Sequence, residues 1–342
     1  MRRELWTTAL PAAYISAMLP LLLALALSNP LGAPFAGGAL FVWNGGSGLR
    51  AEVYRGVQPK SIALPGERCS IAPAGDVALL LCTMADSSVI AVRIDANGDE
   101  IPSRRMMPLS GPVSVAWNGS KFLVAWVDHV GQITNQLFDR DLNPVGPPHW
   151  LFRFSPNDVA VQVTTAGDRF VYLIEETWRG NCGIPECPVP GANVNVQPID
   201  AAGNPLPEVV VANHGWRPRA TTDGRELLLV WTEFPRAGIH ARRLTPDGAL
   251  LGDEVAIDGG PAYDASVVWD GTFYDVAFRR ETVRDLARVN RDLATVVQLE
   301  QPGGVTSELV VAGDRLLRAR VEGGQLVVED LSLRPRGRAA KH

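Results

Sequence analysis

Two tryptophan–arginine pairs are the residues of this 342-residue chain best suited to hold a ligand. Trp178 precedes Arg179, and Trp216 precedes Arg217, with Arg219 close behind. An indole ring offers a flat face for stacking on a sugar or a partner side chain, and a guanidinium adds a fixed positive charge. We therefore predict that these residues bind a ligand. The alternative is that the two rings pack against a neighbouring loop or a channel wall.

Acidic residues recur where apolar segments end. Asp128, Glu176 and Glu233 each follow such a segment, and Arg236 comes shortly after the last of them. A partial ring of carboxylates could bind a cation or a polar ligand, whereas the alternative is that each charge simply faces water at the end of its segment. The histidines never pair at the spacing of metal ligands, so we predict neither a metal nor a cofactor.

Known catalytic signatures are missing from the sequence. There is no G-x-S-x-G nucleophile motif, no H-E-x-x-H motif and no glycine-rich loop that opens a helix. Residues 268–273 only approach the S-x-D-x-G-x-T-W box of sialidases. These observations favour a protein that is not an enzyme.

The elements that must position these side chains are repeated along the chain. A unit of about 45 residues is marked by a glycine turn before an apolar segment, which is the signature of a repeat fold. Clear copies begin at Trp117-Asn118-Gly119, Thr222-Asp223-Gly224 and Trp269-Asp270-Gly271. Weaker copies centre on Gly75, Gly167 and Gly313.

The segment after each glycine reads as a strand that is buried on both faces. In 122–126 and 227–231 nearly every residue is apolar, whereas the next segment, such as 239–244, mixes polar and apolar residues. Radially stacked four-stranded sheets produce this gradient of burial, so we predict an all-β propeller of antiparallel blades. Six copies of the glycine turn favour six blades, closed by an N-terminal strand, over the alternative of seven.

The sequence of the repeats resembles that of a family of exported bacterial propeller-like proteins, which are built on V-A-W-N-G-x-x-F-L-V-x-W-x-D units. The resemblance covers roughly residues 66–330 and is clear in 111–140 and 214–250. This family has no assigned activity, so the resemblance implies the fold and export alone.

The four cysteines form two candidate disulfides, which would suit an oxidising compartment. Cys182 and Cys187 could close a small ring in a long loop. Cys69 and Cys82 flank the turn at Gly75. A turn centred on Ala74-Gly75 places them two residues out of register, so a bridge needs a looser turn or a bulge, and two free buried thiols are the alternative.

The N-terminus predicts export. Two arginines precede an apolar stretch, and small residues follow near position 28, so residues 1–28 read as a signal peptide, with an uncleaved anchor as the alternative. We predict a propeller over 38–334 and a basic, disordered tail over 335–342. The net charge of −5 gives no sign of a nucleic-acid partner, and we expect a secreted, periplasmic or cell-envelope monomer.

Together these features predict an exported binding or scaffold module whose propeller loops hold a glycan, peptide or protein. The loops after the second strand of each blade and those that enter the next blade should share one face, opposite the tight glycine turns. The alternative function is a propeller-type glycosidase or lyase acting on extracellular polysaccharide. It would need two or more acids, or an arginine cluster, to converge on the channel. Glu176 and Glu233 could supply the acids, and the cluster could come from Arg217, Arg219, Arg236 and Arg279.

Overall fold

The computed structural model describes residues 30–55, 59–127, 132–151, 158–178, 191–233, 238–280, 283–302 and 307–331. Every regular element in these residues is a β-strand. The predicted signal peptide, the basic tail and the Cys182–Cys187 loop lie outside the described residues. No helix long and apolar enough to cross a membrane is found within the described ranges.

The strands form seven consecutive antiparallel sheets, each a meander in which neighbours in sequence pair with one another. Blade 1 consists of β1 (Leu31–Phe35), β2 (Gly38–Asn44), β3 (Leu49–Tyr54) and β4 (Lys60–Ala63). Blade 2 consists of β5 (Arg68–Ala74), β6 (Val77–Thr83), β7 (Ser88–Asp95) and β8 (Glu100–Ser110). Blade 3 consists of β9 (Val113–Trp117), β10 (Phe122–Val127), β11 (Ile133–Phe138) and β12 (Pro144–Leu151). Blades 4 and 5 consist of β13 (Asp158–Ala166), β14 (Arg169–Trp178), β15 (Gly191–Ile199), β16 (Val209–Ala212); β17 (Gly215–Thr222), β18 (Leu227–Glu233), β19 (Ile239–Leu244) and β20 (Leu250–Asp258). Blades 6 and 7 consist of β21 (Ala262–Trp269), β22 (Tyr274–Arg280), β23 (Val283–Val289), β24 (Thr295–Pro302); β25 (Glu308–Ala312), β26 (Arg315–Glu322) and β27 (Gln325–Asp330).

The propeller therefore has seven blades, the number that the sequence favoured less. The missing blade is the first one. Residues 38–65 showed no innermost strand in the sequence, but β1 begins at Leu31, ahead of the predicted start at 38, and supplies it. The N-terminal strand thus belongs to its own blade and does not complete the last one, which has three strands in the described part of the chain.

Side-chain packing closes the ring between blades 7 and 1. Phe41 and Ala39 pack in one apolar cluster with Val310 and Leu317. Gly32 lies so close to this seam that an added Cβ would stand 2.5 Å from the Val310 side chain. Only glycine leaves room for the inner strands of the two blades to approach this closely.

The glycine turns are explained by backbone geometry. Gly119, Gly224 and Gly271 all have positive φ, at 96°, 86° and 98°. The preceding Asn118 accepts hydrogen bonds through its side-chain oxygen from the backbone of Ser120 and Lys121, and Asp223 and Asp270 do the same in their own turns. This Asx geometry accounts for the Asn-Gly and Asp-Gly pairs that mark the repeat.

The strand after each turn is the second strand of its blade and is buried, as predicted. In β18 every residue from Leu227 to Thr232 is buried, and Trp231 is 1% exposed. Its two faces pack against different blades, because Leu229 lies in a cluster with Val171 of blade 4 and Leu228 lies in one with Val276 of blade 6. These interlocked faces form the core of the fold.

The Cys69–Cys82 disulfide is confirmed, and its predicted register was wrong. Ala74 pairs with Val77, so the turn consists of Gly75 and Asp76. This shift of the turn by one residue moves the pairing by two, and it places Cys69 directly opposite Cys82 with their Cα atoms 4.0 Å apart. No looser turn or bulge is needed.

In β26 the last blade buries an arginine at a position where the other blades bury uncharged side chains. Arg318 in β26 is 1% exposed, and its guanidinium donates to the carboxylate of Glu329. Arg320 pairs with the same carboxylate and with Glu322. A buried arginine is tolerated only when its charge is paired, which explains why this copy departs from the repeat.

Candidate functional site

A charged cluster lies at one end of the inner strands of blades 4 to 7, on the face that the loops entering each blade share. We call it the channel-mouth cluster and define it by Glu175, Trp216, Arg217, Arg219, Tyr263, Asp264, Arg279 and Glu308. Its residues come from the inner strands β17, β21 and β25 and from the ends of β14 and β22.

Two equivalent bulges build the centre of this cluster. The pairing of β17 with β18 shifts between Trp216 and Arg219, and that of β21 with β22 shifts between Tyr263 and Ser266. Arg217 and Asp264 occupy the same place in the two bulges and have φ of 54° and 56°. Left-handed backbone at a residue other than glycine is strained, and such strain concentrates at functional sites.

The two bulged residues form an ion pair across adjacent blades. The Nη1 atom of Arg217 donates to Oδ1 of Asp264, whose side chain is only 6% exposed. Arg279 reaches the other oxygen of the same carboxylate, but at a longer N···O distance of 3.5 Å. One carboxylate therefore faces two arginines.

Glu175 supports the bulge in blade 5. Its carboxylate accepts a hydrogen bond of 2.9 Å from the backbone N–H of Arg217 and a further one from the side chain of Trp216. Burial raises the pKa of Glu175 above its usual range, although these donors and the nearby arginines act in the opposite direction. The carboxyl therefore holds its proton more tightly than an exposed glutamate.

The remaining charges of the cluster occupy a recurring position in the ring of inner strands. This position lies five residues before the turn glycine. In three blades it is a serine whose hydroxyl oxygen accepts a hydrogen bond from a backbone N–H of the next blade. The bonds are Val115 to Ser70 at 3.0 Å, Val163 to Ser114 at 2.8 Å and Leu309 to Ser266 at 3.1 Å. The same position holds Arg219 in blade 5 and Glu308 in blade 7.

Glu308 therefore sits in the seam between blade 7 and its two neighbours. It has hydrogen bonds with the Ser266 hydroxyl and with the backbone N–H of Gly32. Burial raises the pKa of Glu308 to about 7, while Arg219 and these two hydrogen bonds act in the opposite direction. Near neutral pH this carboxyl is only partly ionised.

Near neutral pH Glu308 is only partly ionised, so the three arginines of the cluster outweigh its three carboxyls in charge. Burial lowers the pKa of Arg217, and the neighbouring Arg219 and Arg279 lower it further, whereas Glu175 opposes this shift. Three arginines face Asp264 and two carboxyls whose proton affinity is raised. An anion placed here would relieve the repulsion among the guanidinium groups.

Aromatic rings flank the arginines at equivalent places. The guanidinium of Arg217 lies 4.9 Å from the ring centroid of Trp216, and that of Arg279 lies 5.6 Å from that of Tyr263. These cation–π contacts hold the arginines side by side.

The structure brings together only some of the residues that the sequence singled out. Trp216, Arg217, Arg219 and Arg279 join the cluster. Asp128, Arg179, Arg236, Cys182 and Cys187 lie outside the described residues, as does the side chain of Trp178. Glu176 follows Glu175 in β14 and so faces the other side of blade 4.

Glu233 takes part in a different contact. Its Oε2 atom lies 3.3 Å from Nε2 of His240, and Oε1 of Glu254 lies 2.6 Å from Nδ1 of the same ring. His240 and Glu254 belong to the outer strands β19 and β20, so this group points away from the channel. Within the described ranges no group of three or more His, Cys, Asp or Glu side chains could hold a metal ion.

Sequence reasoning missed Glu175, Tyr263, Asp264 and Glu308. A signal for them was present in the repeat itself. Aligning the chain on its turn glycines sets Trp216-Arg217 opposite Tyr263-Asp264 and places Arg219 and Glu308 at the serine position. That position is serine in three other copies, so the two charges there stand out once the copies are aligned.

Comparison with known proteins supports the fold. No protein-family model matches the chain, and no curated protein matches it. Among solved structures, a hydrazine synthase chain from Kuenenia stuttgartiensis aligns with a TM-score of 0.62 at 11% identity, covering 97% of this chain and 100% of that one. The WD40 domain of Toxoplasma gondii coronin aligns at 0.58 and 12% identity, covering 89% and 81%. The β-propeller domain of the Pyrococcus furiosus trilobed protease, described as having an open velcro topology, aligns at 0.54 and 10% identity, covering 89% and 97%. Identities this low show that the chain is a β-propeller and leave its activity undetermined.

Proposed function

We propose that this chain is an exported, non-enzymatic binding module that holds an acidic group of an extracellular glycan, peptide or protein at the channel-mouth cluster. The observation that carries the proposal is the convergence of Arg217 and Arg279 on Asp264, with Arg219 close enough to Arg217 to lower its pKa. Arginine forks bind carboxylates with two parallel N–H···O bonds, which gives both affinity and orientation.

Arg279 is the residue best placed to contact the ligand. Its contact with Asp264 is long, and its buried Nε atom has no hydrogen-bond partner within the described part of the chain. The Arg279 side chain is 21% exposed, so a ligand carboxylate can reach its guanidinium without first breaking a short internal ion pair. The Tyr263 ring beneath the guanidinium would fix its orientation during binding.

The glycosidase or lyase alternative receives less support. In a typical glycosidase two carboxyls flank the reacting bond, one as an acid and one as a base or nucleophile. The two acids expected to do this are apart, because Glu233 contacts His240 and Glu176 faces away from Glu175. Asp264 is already paired with two arginines.

Affinity electrophoresis with named probes tests the proposal. The protein should be retarded in a gel containing polygalacturonate and should migrate normally in one containing dextran, a neutral polysaccharide. Arg279→Gln should reduce the retardation at least fivefold. The matched control is Arg104→Gln, which removes an arginine paired with Glu100 at the surface of blade 2 and should leave the retardation unchanged. Equal retardation in both gels, or equal loss in both variants, would exclude the cluster as an anion site.

Export forms the second part of the proposal. The Cys69–Cys82 disulfide is compatible with an oxidising compartment, which agrees with the charged and apolar pattern of residues 1–28. N-terminal sequencing of the protein recovered from culture medium and periplasm tests it. A chain found only in the cytoplasm with Met1 intact would refute export.

A further inference from the structure

A second candidate site lies between blades 2 and 3, on the outer part of the propeller. A cavity of about 400 Å³ opens between the outer strand β8 and the facing side of β10 to β12. This volume is within the range of cavities that bind ligands. We call it the Trp cleft, and define it by Arg105, Met107, Trp126, Thr134, Gln136 and Trp150.

The strand register of blade 3 places the two tryptophans in one row. Thr134 in β11 pairs directly with Trp126 on one side and with Trp150 on the other. Directly paired residues project to the same face of a sheet, so the two indoles flank the small Thr134 side chain. With strands about 4.8 Å apart, the two tryptophan Cα atoms are separated by about 9.6 Å.

The cleft combines a buried floor with an exposed rim. Met107 and Phe138 are 4% and 3% exposed, whereas Trp150 is 58% exposed. Gln136 is held in place because its Nε2 atom donates to the carbonyl oxygen of Gly146 at 2.9 Å. A large, exposed aromatic ring above a preformed apolar floor marks an interaction site.

The polar groups in the cleft are mainly donors. The lining includes the indole N–H groups of Trp126 and Trp150. Arg105, the one charged side chain of the lining, uses Nη1 to bond the carbonyl oxygen of Leu142 and keeps further N–H groups. A complementary ligand therefore offers carbonyl acceptors and apolar rings, carries no positive charge and brings few N–H donors of its own.

A proline-rich segment has these properties. Proline lacks a backbone N–H, and the polyproline II helix exposes its carbonyl oxygens to donors from outside. This helix rises about 3.1 Å per residue, so two prolines three residues apart are separated by about 9.3 Å. That distance matches the spacing of the two tryptophans.

We propose that the Trp cleft binds a proline-rich segment of a partner protein in the polyproline II conformation, with prolines three residues apart packed on Trp126 and Trp150. Aromatic grooves recognise such segments at low entropic cost, because the helix is already formed before binding. The site is separate from the channel-mouth cluster, and it does not depend on the function proposed for that cluster.

Fluorescence anisotropy with labelled peptides tests this inference on the purified full-length protein. The probes are decaproline, a peptide with proline at every third position in an alanine background, and one with proline at every fourth position. Decaproline and the three-residue spacing should bind, and the four-residue spacing should bind at least fivefold more weakly. Equal affinity for the two spacings, or no binding of decaproline, would overturn the inference.

Matched variants locate the binding. Trp150→Ala should weaken decaproline binding at least tenfold, and Pro108→Ala, on the opposite wall, should weaken it less. Met106→Ala removes a side chain that is 61% exposed and is not part of the lining, so it should leave binding unchanged. Because Trp150 is mostly exposed, its loss should not unfold the blade, and Pro108→Ala provides an independent test if it does. Equal affinities for Trp150→Ala and Met106→Ala, or binding of cellotetraose in place of decaproline, would refute a proline-rich ligand.

Discussion

Glu308→Gln should remove a large part of the pH dependence of stability. Glu308 lies in the seam between blade 7 and its neighbours and is held by the Ser266 hydroxyl and the Gly32 backbone N–H. Burial raises its pKa from 4.5 to about 7 in the folded protein. Glutamine keeps a carbonyl oxygen in the same place, so the hydrogen bonds can persist while the titration is lost.

The direction of this pH dependence follows from the difference in proton binding between the folded and unfolded states. Between pH 4.5 and 7 the folded state binds more protons at Glu308 than the unfolded state does, so the free energy of unfolding falls as pH rises through this window. Glu308 contributes most to the free energy of unfolding at acidic pH. This contribution is lost above about pH 7, where the buried carboxyl must ionise. From the two pKa values, unfolding at pH 8 should require about 2.5 kcal/mol less than at pH 5 on account of this group.

Urea denaturation at pH 5 and pH 8 measures this difference. The wild-type protein should lose stability between the two pH values, and Glu308→Gln should lose about 2.5 kcal/mol less. Glu67→Gln, which alters an exposed glutamate in the loop entering blade 2, is the matched control and should behave as the wild type does. If Glu308→Gln and the wild type changed by the same amount, the carboxyl would not be desolvated, and the positive balance assigned to the cluster would also fail.

Three further outcomes are expected. Reduction, or the Cys69→Ser/Cys82→Ser variant, should lower the free energy of unfolding by about 3 kcal/mol, as measured by urea denaturation, because the bond closes a loop between residues 13 apart in sequence. Ser114→Ala should cost about 1–3 kcal/mol in the same assay, since it leaves the N–H of Val163 without its acceptor between two blades. Trp231→Ala should cost about 3–5 kcal/mol and lower the midpoint of thermal unfolding, because it empties a fully buried position between blades 4 and 5.

The fold was predictable from the sequence because its physical causes are local. Gly119, Gly224 and Gly271 mark turns that need positive φ, and the apolar strands after them must be buried on both faces. The first blade was not predicted, for two reasons. Its inner strand, Leu31–Phe35, borders the predicted export segment. The turn that follows, at Ala36-Gly37, also lacks the Asn or Asp found in the other turns. The register of Cys69 and Cys82 was predicted wrongly because strand pairing follows from the exact position of the turn, and an error of one residue in the turn shifts the pairing by two.

The candidate site was only partly predictable, for a different reason. Arg217 and Arg219 stand out in sequence as a local cluster, but Asp264, Glu175 and Glu308 come from other blades, and only the closed ring brings them together. Asp128, Arg236 and the side chain of Trp178, which composition singled out, lie outside the described part of the chain. Glu175, Asp264 and Glu308 lie within strands, and no functional role was predicted for them from the sequence.

The serine position of the ring explains why charges can lie there. Ser70, Ser114 and Ser266 each accept an N–H from the next blade, so this position faces a neighbouring inner strand and is partly withdrawn from water. Arg219 and Glu308 occupy this position in place of a neutral serine. Withdrawing a charged side chain from water costs free energy unless the charge is paired or hydrogen-bonded. Both substitutions occur in the blades that border the channel-mouth cluster, and Arg219 lowers the pKa of Arg217 there. The same register that joins the blades thus brings these two charges into the channel-mouth cluster, on which the proposed binding function rests.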